Sequence, residues 1–145
     1  MRVVLDTNVI VSAVLSPTGT PAEILAAWRQ EAFELLVSGP ILDEYQQTLG
    51  YDRLRARHHL TDDEIAEIVA EFRALATLVS AANGVVPRGD VADLDDAMFR
   101  QCAIAGGAAY IISGDAHLLD LHEYRGITIL PPALFLALLR AERGG

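Results

Sequence analysis

The sequence predicts an α/β fold, a three-layer α/β/α sandwich built around a central, mainly parallel sheet. Short apolar runs rich in Val, Ile and Leu alternate along the chain with longer segments of helical periodicity. Such alternation favours parallel strands joined by right-handed helical crossovers, which cover both faces of the sheet. The 145 residues, 52% of them hydrophobic, also match the common size of one compact unit. We therefore expect residues 1–145 to form a single domain.

The first half of the chain carries clear helix-start signals. Thr20, followed by proline, is the expected N-cap of one helix, and Thr61 with Glu64 forms a capping-box pattern that begins a long amphipathic helix. The elements expected here are strands at 2–5 and 35–38, helices at 8–15, 20–32, 41–49 and 61–75, and a short strand at 78–80.

The second half is divided by glycine and proline. Residues 81–94 contain Gly84, Pro87 and Gly89 and are typical of a loop, while Gly106 and Gly107 are expected to end the helix that follows. The elements expected here are a helix at 97–105, a strand at 109–112, a turn at 113–115, a short helical piece at 117–121, a strand at 127–130 and a helix at 131–143.

Acidic residues stand where strands of the predicted sheet end. Asp6 directly follows the first strand, Asp115 follows the strand at 109–112, and Glu44 lies one turn into the helix after the second strand. Asp96 opens the helix after the long loop. Because ligands of open parallel sheets bind at the carboxyl ends of the strands, we expect these four acids to share one edge.

The predicted acidic edge has the chemistry of a hard-cation site. Asn8 and Ser113 add amide and hydroxyl oxygens beside Asp6 and Asp115. Mg²⁺ and Mn²⁺ take oxygen ligands of this kind, usually together with water and substrate phosphate. The sequence therefore predicts an all-oxygen Mg²⁺ or Mn²⁺ site.

Each acid also has a purely structural interpretation. Asp96 fits a helix cap, Glu44 a solvated helix residue and Asp115 the closure of a turn. Asp6 fits such an interpretation least well, because an ionisable group at the end of a buried strand needs a partner. The sequence alone leaves open whether the four acids meet in space.

The overall charge disfavours a general electrostatic nucleic-acid binder. Eleven basic residues, all Arg, stand against 20 acidic ones, which leaves a net charge of −9. Basic residues cluster only after the Glu44 helix, where they would rim the crevice and contact backbone phosphates. These candidate phosphate-binding residues are Arg53, Arg55, Arg57 and His58. The alternative is a solvated charged turn.

Other features of composition point to the cytoplasm. The longest uncharged run, residues 7–22, is broken by Pro and Gly and falls short of the roughly 20 apolar residues of a membrane span. The N-terminal apolar run is stopped by Asp6, so it is too short for a signal peptide. One cysteine, Cys102, excludes an internal disulfide framework. We expect a cytoplasmic protein with no membrane partner.

Four segments together resemble the PIN domain family, in its branch of toxin components of prokaryotic toxin-antitoxin systems, the VapC-like ribonucleases. The segments are MRVVLDTNVIVSAVL, GPILDEYQQTL, DLDDAMFRQCAIAGGAAYIISGDAHLLDL and GITILPPALFLALL. Short motifs such as DTN or DEY are weak individually. Their order, with the DxDDxxF helix and the SGDxHLL turn, is specific and covers nearly the whole chain.

The resemblance implies a metal-dependent ribonuclease whose products carry 5′-phosphate and 3′-hydroxyl ends. The family's acidic constellation falls on Asp6, Glu44, Asp96 and Asp115, with Ser113 at a supporting hydroxyl position. Asp93 and Asp95 are neighbours that would replace or assist Asp96 if the register differs by a step. The resemblance also implies RNA as the ligand of the basic cluster, an antitoxin protein as partner and a homodimer. The apolar helix at 131–143 is either well buried or part of the dimer face.

Two rival classes remain at this point. One is a non-catalytic acidic α/β module that binds RNA or a protein partner without cutting it. The other is a phospho-acceptor or phosphatase domain, in which a strand-end Asp reacts with phosphorus. The second rival is disfavoured because the chain has no Lys to hold the phosphoryl oxygens and lacks a second Asp two residues after Asp6.

Overall fold

A computed structural model of the chain describes residues 1–80 and 94–143, without the side chains of residues 94–96, 117 and 143. The described strands are β1 (Arg2–Leu5), β2 (Glu34–Val37), β3 (Thr77–Leu78), β4 (Tyr110–Ile112), β5 (Glu123–Tyr124) and β6 (Ile127–Leu130). The described helices are α1 (Thr7–Leu15), α2 (Thr20–Arg29), α3 (Gly39–Leu49), α4 (Asp52–His58), α5 (Asp62–Leu75), α6 (Leu94–Gly106), α7 (Ala116–Leu119) and α8 (Pro132–Arg143).

The described strands form one mainly parallel sheet in the order β3-β2-β1-β4-β6-β5. β1 lies inside the sheet, where Val3 is in register with Leu35 of β2 and Tyr110 of β4. β5 is antiparallel to β6, and the other pairings are parallel. With helices flanking the sheet, this arrangement confirms the predicted α/β sandwich.

An aromatic cluster packs α2, α3 and α5 together. Phe72 of α5 stacks on Trp28 of α2 with ring centroids 5.2 Å apart, and it contacts Tyr45 of α3 at 5.5 Å. All three side chains are buried. Aromatic pairs of this kind add to the free energy of apolar burial, so the cluster helps to fix α3 beside the sheet.

Helix starts follow local side-chain chemistry. α5 begins with the predicted capping box: Thr61 Oγ1 accepts from Glu64 N, and Thr61 N donates to Glu64 Oε1, both at 3.1 Å. The expectation that Thr20 caps α2 is wrong. The preceding glycine, Gly19, is the N-cap, because its extended backbone already accepts the first helical hydrogen bond from Glu23 N at 3.1 Å.

Two short elements escape the sequence patterns. α4 occupies the basic run for which a charged turn was the alternative, and it buries only Leu54, so it shows no apolar periodicity. β5 has two residues and forms an antiparallel edge. The loop predicted at 81–94 lies outside the described residues, except for residue 94, where α6 begins.

The C-terminal helix α8 is packed within the chain. Phe135, Leu136 and Leu139 are buried, and α8 contacts α2. Leu134 remains 57% exposed. Intrachain packing therefore accounts for most of the apolar character of α8, and a homodimer through this helix stays a prediction.

Among the described helices, membrane-spanning length and composition are reached only by one bent pair. No single helix among them is long and apolar enough to cross a bilayer. α1 and α2 together reach the required length and composition, but they are bent by 101° at the break between them.

α6 approaches the sheet closely at its C-terminal end. A Cβ placed on Gly106 would lie 2.6 Å from Leu36 Cδ1 and 3.0 Å from Val79 Cγ2. Gly39, the first residue of α3, has nothing within 4 Å of such a Cβ. The two helical glycines therefore differ in the space around them, and only Gly106 is required for close packing.

Gly106→Ala should destabilise the protein. Because the buried Leu36 must move, we expect a loss of about 1–3 kcal/mol in the free energy of unfolding, as for other overpacked cores. Gly39→Ala is the matched control and should cost much less, since its Cβ would meet nothing within 4 Å beyond its chain neighbours, and only the following Pro40 disfavours a helical Ala. Urea titration of both variants measures the difference; equal stabilities would contradict the close packing.

Candidate active site

Asp6 lies at the carboxyl end of the central strand β1. Its backbone N–H donates to Ile112 O at 2.9 Å, which extends the pairing of β1 with β4 past the last residue of β1. The residue is only 5% exposed. The sheet thus holds a buried carboxyl group at the edge where ligands of parallel sheets bind.

A serine at the end of β4 joins the two neighbouring strand ends. Ser113 is fully buried, and its hydroxyl donates to Asp6 Oδ2 at 2.6 Å. The Ser113 hydroxyl oxygen also accepts a hydrogen bond from the backbone N–H of Asp115 at 2.9 Å. Ser113 therefore orients the Asp6 carboxyl and fixes the backbone of Asp115 beside it.

Glu44 reaches this edge from α3, which is attached to β1 through its neighbour Tyr45. The Tyr45 hydroxyl donates a hydrogen bond to the carbonyl oxygen of Leu5 at 2.5 Å. Leu5 is the residue directly before Asp6 in the sequence. Thr48, one turn further along α3, donates from Oγ1 to Glu44 Oε1 at 3.3 Å. Glu44 is half-buried. The positions of its neighbours thus place Glu44 against the start of α1.

The three described carboxyl groups interact electrostatically. Burial raises the pKa of Asp6 above its usual value of 3.8, and the charges of Asp115 and Glu44 raise it further. Hydrogen bonds from Ser113 and from the Thr7 backbone oppose that increase. Burial also raises the pKa of Tyr45 well above 10, and the Asp6 charge adds to this effect. A cation at this edge would stabilise the charged form of Asp6.

The donor set suits a hard cation in type, but its described part is incomplete. Among the side chains that the structure describes, no three His, Cys, Asp or Glu residues lie close enough together to hold a metal ion. The predicted set also included Asp96 with its alternatives Asp95 and Asp93. The backbone of α6 carries residues 95 and 96 in its first turn, whereas their side chains and all of residue 93 lie outside the description.

Sequence reasoning missed the roles of two groups at this edge. Tyr45 gave no signal, because its bond to Leu5 links positions 40 residues apart. Thr48 stands four residues after Glu44, a spacing that predicts a side-chain contact on a helix. The hydroxyl of Thr7, next to Asp6, is buried and has no hydrogen-bond partner within the described part of the chain.

α4 separates the four basic candidates into two pairs. Arg55 donates to Gly50 O at 2.8 Å and forms an ion pair with Asp62. His58 contacts Leu49 O and accepts from Leu60 N, both at 2.9 Å. These two side chains hold the α3–α4–α5 junction together.

The other basic pair faces solvent. Arg53 and Arg57 are exposed and line a groove that also contains Asn8 of α1 and Thr48 of α3. Asn8 stands two residues after Asp6, and Thr48 is hydrogen-bonded to Glu44, so the groove adjoins the acidic edge through these two neighbours. Two of the four predicted basic residues are therefore free to meet a ligand near the acidic edge.

Comparison with known proteins agrees with this architecture. The model of the PIN domain family matches residues 2–117. The uncharacterized protein MJ1680 of Methanocaldococcus jannaschii is 32% identical over 127 residues, which cover 85% of this chain and 76% of that protein.

A solved structure shares the fold. The crystal structure of VapBC2 from Rickettsia felis, bound to a DNA fragment from their promoter, contains a chain that superposes with a TM-score of 0.64. The match covers 90% of this chain and 98% of that chain at 13% sequence identity, a likeness that concerns the fold. Because the PIN domain model matches residues 2–117, which are most of the chain, this chain belongs to the PIN domain family.

Proposed function

We propose that the chain, acting as a single domain, is a metal-dependent endoribonuclease that leaves 5′-phosphate and 3′-hydroxyl ends. The observation that carries the proposal is the buried Asp6 carboxyl at the ligand-binding edge, held by Ser113 and facing the charges of Asp115 and Glu44. PIN domain proteins are nucleases, and a site of this kind suits phosphodiester hydrolysis.

The proposed ion is Mg²⁺ or Mn²⁺, held by oxygen ligands. Asp6, Glu44, Asp96 and Asp115 would hold it, with Asp95 or Asp93 as assisting residues. When bound, the ion supplies a water of lowered pKa and neutralises charge on the scissile phosphate.

The chain's own residues prepare this edge for a substrate. Ser113 keeps one oxygen of Asp6 in a fixed direction through its 2.6 Å hydrogen bond. Thr48 similarly restrains Glu44, and Tyr45 fixes the strand end from which Asp6 projects. Asn8 stands exposed in the first turn of α1, where its amide can donate to a phosphate oxygen or the ribose. These contacts preorganise the acids before RNA arrives.

The proposal extends to a toxin role. The structural neighbour is described as VapBC2 bound to promoter DNA, and by analogy an antitoxin would bind this chain in the cytoplasm. We propose that this partner covers the acidic edge or inserts an Arg into it, because a cation would relieve the mutual repulsion of Asp6, Glu44 and Asp115. A homodimer is part of the same proposal.

The second candidate is a non-catalytic acidic module that binds RNA or a protein partner at the same edge without cutting RNA. The described acids, Asp6, Glu44 and Asp115, fit either function. Metal-dependent cleavage distinguishes the two.

The main test is RNA cleavage by the purified protein without a partner. Labelled single-stranded and hairpin RNAs are incubated with Mg²⁺, Mn²⁺ or EDTA, and the ends of the products are mapped. We expect cuts with 5′-phosphate ends in the presence of metal and none in EDTA. A folded protein that binds Mn²⁺ and leaves a broad RNA panel intact would support the binding module.

Asp6→Asn should remove activity without loss of stability. Substituting a residue that only orients a metal ligand already lowers activity about 10–100-fold. For Asp6, a proposed ligand itself, we therefore expect kcat/KM to fall by more than about 100-fold. Because its pKa is raised, Asp6 holds its proton more tightly in the native protein than in the unfolded chain. The protonated carboxyl therefore stabilises the native protein at low pH, and this stabilisation is lost as pH rises from 3.8 through the raised pKa. The Asn variant escapes this loss.

Thermal melting across pH measures the second effect. In EDTA, the Tm of Asp6→Asn relative to the native chain should increase between pH 3.8 and neutrality. Adding Mn²⁺ should raise the Tm of the native chain and leave that of Asp6→Asn nearly unchanged. A variant that melts lower than the native chain at neutral pH would mean that Asp6 is structural.

Ser113→Ala tests the orientation of the Asp6 carboxyl. The substitution removes the donor to Asp6 and the acceptor of the Asp115 N–H, so we expect a loss of about 10–100-fold in kcat/KM, as for other groups that orient a metal ligand. Ser113→Thr keeps the hydroxyl and serves as control. If Ser113→Ala cleaves as fast as the native protein, the hydrogen bond has no part in the activity.

A further inference from the structure

A groove of about 390 Å³ opens between α1, α3 and α4, beside the acidic edge. Its polar lining consists of Asn8, Ser12, Thr48, Arg53 and Arg57. The inference drawn from it rests on the proposed ribonuclease function and concerns how RNA is held.

The groove adjoins residues that are linked to the acids, while none of the described acids lines it. Asn8 stands two residues after Asp6, and the Thr48 hydroxyl is hydrogen-bonded to Glu44 at 3.3 Å. Ser12 and Leu15 continue the lining along α1, away from Asp6. An RNA strand in the groove would therefore run alongside α1 from a point near the acidic edge.

Arg53 and Arg57 face this groove from one side of α4. They are four residues apart, which places them on the same helix face. Within residues 1–80 and 94–143, neither forms a salt bridge, whereas Arg55 is paired with Asp62. Arg53 also lies over the Tyr51 ring, 6.0 Å from its centroid. The pair thus offers two guanidinium forks that no described carboxylate neutralises.

The net charge of −9 makes such a local pair necessary for a polyanionic substrate. Guanidinium groups bind phosphate oxygens in a bidentate manner, and the neighbouring Asn8, Ser12 and Thr48 add uncharged polar groups. Among the described residues of the lining, none carries an aromatic ring on which a base would stack. These features suit the backbone of RNA better than its bases.

We propose that this groove is a backbone subsite in which Arg53 and Arg57 each contact a phosphate of the RNA strand flanking the scissile bond. The two arginines are positioning residues: they hold the strand in register with Asp6 and Glu44 and read no sequence. Arg55 and His58 take no part, because their side chains maintain the α4 junction.

The test measures RNA affinity against salt concentration in the Asp6→Asn background, which prevents cleavage. Fluorescence anisotropy with labelled single-stranded RNAs of several sequences compares Arg53→Gln/Arg57→Gln with Arg73→Gln/Arg140→Gln. The control pair removes the same charge from α5 and α8, where Arg140 makes an exposed ion pair with Glu23. Thermal melting of each variant verifies folding.

We expect the RNA affinity of Arg53→Gln/Arg57→Gln to depend less on salt concentration, and that of the control pair to keep its salt dependence. Each phosphate contact to single-stranded RNA contributes about 0.7 to the slope of log K against log salt, so the slope should fall by about 1.4. The loss should be the same for every RNA sequence, and Arg53→Lys/Arg57→Lys should restore most of the slope. In the cleaving background, KM should rise while kcat changes little.

Several results would overturn the subsite. They are an unchanged slope, an equal fall in the control pair, a loss confined to certain sequences, or no RNA binding at all. The proposed nuclease is judged separately: cleavage with an unchanged slope removes the subsite alone, while Arg-dependent binding without cleavage by the native chain removes the nuclease alone.

Discussion

Burial of one carboxyl group at the end of the central strand is the constraint on which the rest of this structure depends. An ionised group in an apolar sheet costs free energy unless its surroundings compensate. Here the compensation comes from the Ser113 hydroxyl and the Thr7 backbone, and it is partial, because the pKa of Asp6 remains raised. The charged form of Asp6 therefore stays incompletely stabilised, and this residue lies at the ligand-binding edge of the sheet.

The elements around Asp6 bring further charges and hydrogen-bonding groups to its carboxyl. The parallel pairing of β1 with β4 brings Ser113 and Asp115 to it, and Tyr45 ties α3 to the strand so that Glu44 adds a third charge. The aromatic contact between Tyr45 and Phe72 anchors α3 in turn to α5. Core packing and site electrostatics are therefore linked through a single tyrosine, which is apolar on its ring and polar at its tip.

Most of the fold could be predicted from the sequence, because buried strands and capped helices leave strong local patterns. The acids at strand ends were found for the same reason, since Asp6 and Asp115 directly follow apolar runs. α4 was missed because it buries one apolar residue, and the Tyr45 bond because it is specified by tertiary packing. The division of the basic run into Arg53 with Arg57 and Arg55 with His58 likewise needed the helix geometry.

The hydrogen bond between Ser113 and Asp6 joins residues 107 positions apart in the chain. During synthesis, β1 therefore leaves the ribosome long before the strand that completes its edge. A nascent or truncated chain lacking β4 has Asp6 without its hydroxyl donor and without Asp115, so the acidic edge is incomplete until β4 has been made. If this edge cleaves RNA as proposed, that activity would begin only after β4 has paired with β1.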